Sequence, residues 1–339
     1  MELADALSQL GASQGHFAYL AASPLTATLG LLADVIGFAF IAGTATAWWS
    51  WVDRIWSLSP AAFVALYAAL APPSPRLLVM AALSALWAAR LTYNFARKGG
   101  FGEVKASEED YRWPWVRAWM ARSLPPQLLP LATHAFHLLF VCAYQNVLLW
   151  LQVVPACMVV AAADARGSGA LGAWDALAAA AFLALLALEA VADETQWAFQ
   201  ARKHALTPAQ RAAAGGDLAR GFCTTGVFAY SRHANFFAEQ SMWWVFWGFS
   251  VAARAPGSAR EALLHYSVAG PLLLTLLFQG STTLTEHITA SKYPEYVAYQ
   301  ARVSRLVPWF PAASSPEGAA PQPAAAGKAK ARSASAKRA

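Results

Sequence analysis

Four polar residues recur through the apolar run LALLALEAVADETQWAFQARKH: Glu189, Asp193, Gln196 and Gln200, at spacings of four, three and four. At about 100° per residue they share one helical face. Carboxylates one turn apart repel each other, so this face calls for cationic or hydroxyl partners. Arg90, Asn94 and Arg97 in LWAARLTYNFARKGG recur at four and three and offer a complementary face. Arg97 is able to snorkel to an interface. Arg90 lies two turns deeper, and its planar fork suits either a carboxylate or the phosphates of a ligand. The third constellation is GGDLARGFCTTGVFAYSRHANFFAEQSMWW. Its glycines permit turns and close backbone approach to a ligand. Ser231, Arg232, His233 and Asn235 then arrive together at a predicted helix start, where free N–H groups and partial positive charge favour an anion. Helix capping by Asn235 beside interfacial basic residues is the structural alternative.

The elements that must carry these residues follow from composition. Of 339 residues, 58% are hydrophobic and only 13% charged, whereas an ordinary globular protein carries about 25% charged residues. Apolar stretches near 25–49, 57–71, 76–95, 128–160, 174–199, 236–253 and 261–283 are mostly close to the ~20 residues of a spanning helix. The fold class predicted is all-α, a multi-pass transmembrane bundle of about seven helices. The second stretch is short and runs into Pro72, Pro73 and Pro75, and 128–160 reads as a single crossing. Seven crossings with an external N-terminus put twenty of the 25 Lys and Arg on one side, leaving Arg76, Arg166, Arg254 and Arg260 on the other and Arg90 within a helix. Basic residues accumulate in cytoplasmic loops, so the C-terminus is expected in the cytoplasm. The chain divides into an external segment 1–24, a membrane domain 25–310 and a basic, Ala-, Pro- and Ser-rich tail 311–339 expected to be disordered. Ionisable groups inside a membrane cost roughly 2.5–3.5 kcal/mol on insertion scales and are functional candidates by default.

Several chemistries are excluded. Cys142, Cys157 and Cys223 show no CxxC spacing, so neither a disulfide framework nor a zinc knuckle is predicted. His134 and His137 are three apart but lack further clustered histidines, and no metal is expected. No GxGxxG follows a strand, which argues against a dinucleotide-binding α/β domain. The first 20 residues lack Lys and Arg and do not resemble a cleaved signal peptide. Trp48, Trp49, Trp243 and Trp244 read as interfacial aromatic belts. The expected partners are the membrane and a lipid-like small molecule, not nucleic acid.

The run TTGVFAYSRHANFFAEQ resembles the C-terminal signature of the steroid 5α-reductase superfamily, specifically its DUF1295 branch, where SRHPNYFGE is usual. EAVADETQWAF, DRIWS (Asp53 to Ser57), Arg90 with Leu91, and EDYRW (Glu109 to Trp113) are similar to the same branch, and the likeness covers roughly residues 30–310. Ala234, Phe236 and Ala238 depart from the usual Pro, Tyr and Gly. The resemblance implies a seven-helix membrane enzyme that binds NADPH at its cytoplasmic side and reduces an activated carbon–carbon double bond of a lipid or steroid-like substrate. By matching positions, Asp193 and Asn235 lie at the cofactor. Gln196, Arg232 and His233, with Arg90 or Arg97 opposite, would hold its phosphates and ribose. Tyr111 and Tyr230 are the candidate proton donors, and Glu189, Glu239 and Glu286 serve substrate or structure. The acid and tyrosine pair that engages a steroid enone is not recognisable here. In a eukaryote the resemblance implies the endoplasmic reticulum. The alternative is an S-adenosylmethionine-dependent membrane methyltransferase, whose C-terminal pattern is approached by Glu286, Tyr293, Tyr296 and Tyr299 but with His287 where a second Glu is common. A third class is a non-catalytic membrane protein that retains the fold.

Overall fold

A computed structural model of the chain describes residues 3–12, 18–105, 108–110, 112–166, 170–253 and 265–313. Tyr111 and the tail from 314 onward lie outside the described residues. Among the described residues all regular structure is helical. In chain order the helices are α1 (Leu3–Ala12), α2 (Pro24–Thr46), α3 (Trp51–Trp56), α4 (Ser59–Leu70), α5 (Pro75–Arg97), α6 (Arg112–Ser123), α7 (Leu129–Phe136), α8 (Gln145–Arg166), α9 (Ala173–Ala205), α10 (Pro208–Ala214), α11 (Gly216–Arg220), α12 (Ala234–Ala252), α13 (Ala269–Lys292) and α14 (Tyr296–Arg302).

Among the described residues five stretches are long and apolar enough to cross a bilayer: Pro24–Thr46, Pro75–Arg97, Leu129–Ala162, Ala173–Ala205 and Tyr266–Lys292. The protein is an integral membrane protein built as an all-α bundle. The starts of α2 and α5 are set locally. Pro24 and Pro75 occupy the first turn, and the Ser23 and Ser74 hydroxyls accept from the amides of Thr26 (3.2 Å) and Leu77 (3.4 Å). The expected second crossing is truncated: α4 has 12 residues, or about 18 Å, and stops before Pro72 and Pro73. It is wedged among α2, α5 and α8, with Phe63, Val64 and Tyr67 fully buried. The 19 residues of α12 reach about 28 Å. The 128–160 stretch is one continuous path, in which a π-helical segment, His137–Tyr144, joins α7 to α8.

The length of α9 matters most for the site. Its 33 residues extend about 50 Å, against a hydrocarbon core of about 30 Å. The excess turns at its C-terminal end carry Gln196, Gln200 and Lys203. At the other end, Arg76 is not a free interfacial cation. It forms a buried two-pronged pair with Asp175 (2.6 and 2.8 Å) that ties the starts of α5 and α9 together.

The tryptophans correct an expectation. Trp48, Trp49 and Trp243 are 3, 5 and 0% exposed and pack inside the protein rather than forming a belt. Trp49 stacks on His137 at 5.1 Å and lies under the Arg117 guanidinium. Trp244, half-buried, donates its indole N–H to Thr275 (3.0 Å). Trp243 packs edge-on against Trp87 at 5.0 Å, and both indoles donate to Glu239. For Trp243, Glu239 supplies inside the bundle the acceptor that its indole would otherwise find at the interface.

Candidate functional site

Arg90 on α5 is the centre of a buried charge cluster. It pairs with Glu189 (2.6 Å) and Asp193 (2.5 Å) on α9 and stands 3.7 Å from Glu239 on α12. Glu239 also accepts from Trp87 (2.7 Å) and Trp243 (2.9 Å), and Asp193 from Asn94 (2.8 Å). Arg97 donates to the Asn94 side-chain oxygen (3.0 Å), pairs with Glu194 and stacks on Trp197 at 5.1 Å. The two sequence faces therefore meet, and one guanidinium cross-links three helices.

One turn farther along α9, and one turn back along α12, a cavity of about 990 Å³ opens, at the upper end of the size range of ligand sites. Its walls come from the overhanging end of α9, the connection to α12, the end of α13, and α14. Among the described residues the lining includes Lys203, His204, Arg211, Arg232, His233 and Lys292, together with amides, threonines and aromatic rings, and no carboxylate.

Within this wall Arg232 is already occupied. Its guanidinium makes a forked contact with Glu286 (2.6 and 3.1 Å) and donates to the backbone carbonyls of Gln300 (2.8 Å) and Val303. His233 and Gln300 complete the shell of Glu286 at 2.9 and 2.8 Å. The backbone continues the same clamp, with the amides of Arg232 and His233 donating to the carbonyls of Ser304 (2.9 Å) and Arg305 (3.1 Å). The SRH segment therefore holds α14 and the chain after it against the cavity.

Lys203 is the next member of the α9 stripe, three residues beyond Gln200. Its ammonium donates to the Gly221 carbonyl (2.6 Å) and the Tyr293 hydroxyl (2.9 Å). Gly221 has φ +88°, and a Cβ there would come within 2.4 Å of the Tyr293 ring, so the close approach requires glycine. Burial acts to raise the Tyr293 phenol, but the hydrogen bond and charge of Lys203, with Lys292, hold it below the ordinary tyrosine value. Burial pushes Tyr296 and Tyr299 the other way.

Asp217 organises the glycine-rich connection. Its carboxylate accepts from the Thr224 amide (2.7 Å) and hydroxyl (2.6 Å), the Thr225 hydroxyl (3.1 Å) and Arg220 (2.6 Å). Burial alone would raise it, yet these donors hold it below the usual aspartate value. A depressed folded pKa stabilises above the unfolded value, near about 4, and that stabilisation is lost as pH falls through the folded one. Limited proteolysis of the 215–225 connection should therefore accelerate below about pH 4 in the wild type. Asp217→Asn should be cleaved faster already at neutral pH. Equal rates for the two proteins at neutral pH would show that Asp217 does not hold the connection.

The residues singled out in the sequence fall into separate places. Gln196, Arg232, His233 and Asn235 line the cavity. Arg90, Glu189, Asp193 and Glu239 form the cluster beneath it, Arg97 flanks that cluster, and Glu286 lies behind Arg232. Tyr230 is 46% exposed and packs against Phe310, away from the cavity. Lys203, Arg211 and Lys292 were legible in the sequence only as charge on the cytoplasmic side, and His204 only as an unclustered histidine. The signal for Lys203 was its place at the end of the polar stripe. DRIWS and EDYRW meet each other elsewhere: the Trp113 indole donates to Asp53 (3.1 Å), Arg112 approaches Asp53 at 3.5 Å, and Glu109 accepts from the Trp49 amide (2.8 Å) and Arg117 (3.0 Å).

Residues 39–303 match the family described as "Protein of unknown function (DUF1295)". A similar protein, "Uncharacterized protein C594.04c" of Schizosaccharomyces pombe, is 39% identical over 268 residues, covering 76% of this chain and 72% of that one. No solved structure matches the chain.

Proposed function

Because the chain belongs to the DUF1295 family, we propose that it is a membrane-embedded reductase that uses NADPH to reduce an activated carbon–carbon double bond of a lipid-like substrate. The observation that carries this reading is the lining of the 990 Å³ cavity, which among the described residues presents Arg211 and Lys292 and no carboxylate. NADPH carries a pyrophosphate and a 2′-phosphate, and such a ligand needs cations without competing acids. The residues present fit it. Arg211 and Lys292 supply charge for phosphates, and His204, Gln196, Gln200 and Asn235 supply neutral hydrogen-bonding groups. Phe222, Phe236 and Tyr296 give flat walls for ring systems. When bound, the nicotinamide supplies the hydride. The chain orients it, and the Arg90 cluster fixes the helices beneath. In this reading the charged end of the bundle and the C-terminus face the cytoplasm, and a eukaryotic protein of this kind works in the endoplasmic reticulum.

Titration of the purified full chain in detergent with NADPH and with S-adenosylmethionine tests the proposal. NADPH is expected to bind more tightly, and Arg211→Ala to weaken it by roughly tenfold at low salt, the worth of one charge-assisted contact. That effect should shrink as salt rises, because Arg211 is only partly buried. Binding of S-adenosylmethionine without NADPH would make the protein a methyltransferase. Binding of neither would make it a non-catalytic member of its family.

A further inference from the structure

We infer that Tyr293 is the proton donor of the proposed reduction and that Lys203 is its positioning residue. The inference rests on the NADPH reading above and adds to it the group that completes the chemistry. Hydride addition alone leaves a carbanion or enolate, so the reaction needs an acid at the site. Tyr230 stands away from the cavity. The Tyr299 hydroxyl is spent on the Phe228 carbonyl (2.5 Å). Tyr293 lines the cavity, and its oxygen accepts from the Lys203 ammonium at 2.9 Å, which leaves the phenolic hydrogen for a ligand.

The surroundings favour the phenolate that donation would create. Lys203 faces the phenol from α9, and Lys292, at the end of α13, lies 5.4 Å from the ring centroid. The connection before α12 contributes Gly221 and Phe222, the latter at 6.0 Å, and among the described residues no carboxylate pairs with Lys203. Lys203 is buried, anchored on the Gly221 carbonyl, and unable to swing away. In the step, the double bond takes a hydride with its electron pair from the reduced nicotinamide at one carbon and the Tyr293 proton at the other. The π bond, the phenolic O–H and the C–H bond of the hydride donor would break, two C–H bonds would form on the substrate, and the donor would be oxidised by two electrons. Tyr293 then regains a proton from water through the open side of the cavity. The depressed phenol described above agrees with this arrangement.

The test is ultraviolet difference titration of tyrosine in the full chain, free and saturated with NADPH or NADP⁺. One phenol should ionise below the ordinary value of about 10. It should vanish in Tyr293→Phe, rise in Lys203→Gln and stay low in Lys203→Arg. NADPH affinity of Tyr293→Phe should remain within about threefold of wild type, since no charge or ring is lost. The decisive comparison is between the two complexes. NADP⁺ and NADPH share their phosphates but differ by one positive charge on the nicotinamide, so a phenol beside that ring should ionise at least about one pH unit lower with NADP⁺. Equal transitions in the two complexes would place Tyr293 far from the reacting ring. An early transition that survives Tyr293→Phe would assign it to another residue. Either result overturns the inference while leaving the cofactor reading intact. Failure of both nucleotides to bind wild type overturns the cofactor reading itself.

Discussion

Arg232→Ala is expected to cost about 3–5 kcal/mol of stability, because it strips a buried carboxylate of its cation. The Arg232 and Glu286 side chains are 9 and 8% exposed, so little solvent screens the pair. Truncation would leave Glu286 with only His233 and Gln300, and would release the carbonyls of Gln300 and Val303 that fix α14. Nucleotide binding should fall with the loss of that wall. High salt should change the effect little, in contrast to Arg211→Ala. Thermal unfolding followed by tryptophan fluorescence measures the loss, and Arg232→Ala with Glu286→Gln should recover part of it, since the orphan charge is then gone. If Arg232→Ala unfolds like wild type and loses binding in a salt-dependent way, Arg232 acts as a direct phosphate ligand instead.

Arg90→Leu should be more damaging still. Three carboxyl groups from α9 and α12 converge on this guanidinium, and their side chains are 7–10% exposed. Without it they face one another inside the bundle, where removing one partner of even a single buried pair costs about 3–5 kcal/mol. Little folded protein should survive extraction, as size-exclusion chromatography in detergent would show. Arg90→Lys should be intermediate, because an ammonium cannot fork between Glu189 and Asp193. Adding Glu189→Gln and Asp193→Asn to Arg90→Leu should restore some folded material. A monodisperse Arg90→Leu protein of wild-type stability would show that the cluster contributes nothing.

The cluster was readable in the sequence because its parts obey helical periodicity. Glu189, Asp193, Gln196 and Gln200 mark one stripe and Arg90, Asn94 and Arg97 another, and a stripe is a local property. What periodicity cannot give is the partner. Whether Arg90 met acids or a ligand depended on how α5, α9 and α12 pack. The Arg232–Glu286 pair joins residues 54 positions apart through a non-helical turn, and its end-use in a clamp was invisible. The same holds for Tyr293, whose neighbours Lys203 and Gly221 come from two other elements. The short α4 was foreshadowed by its prolines. The buried tryptophans were not, since hydropathy cannot distinguish a ring at a headgroup from a ring packed inside the bundle.

The wide sequence gap within the Arg90 cluster also has a consequence for biogenesis. Asp193 follows Arg90 by 103 residues, so at synthesis rates of about 5–20 residues per second the arginine waits about 5–20 s for its partner to be made. During that interval α5 carries a lone cation whose residence in lipid costs roughly 2.5–3.5 kcal/mol. The helix should therefore linger at the insertion machinery until α9 arrives. Ribosome-bound chains stalled before α9 should leave α5 crosslinkable to the translocation channel, and chains stalled after α9 should not.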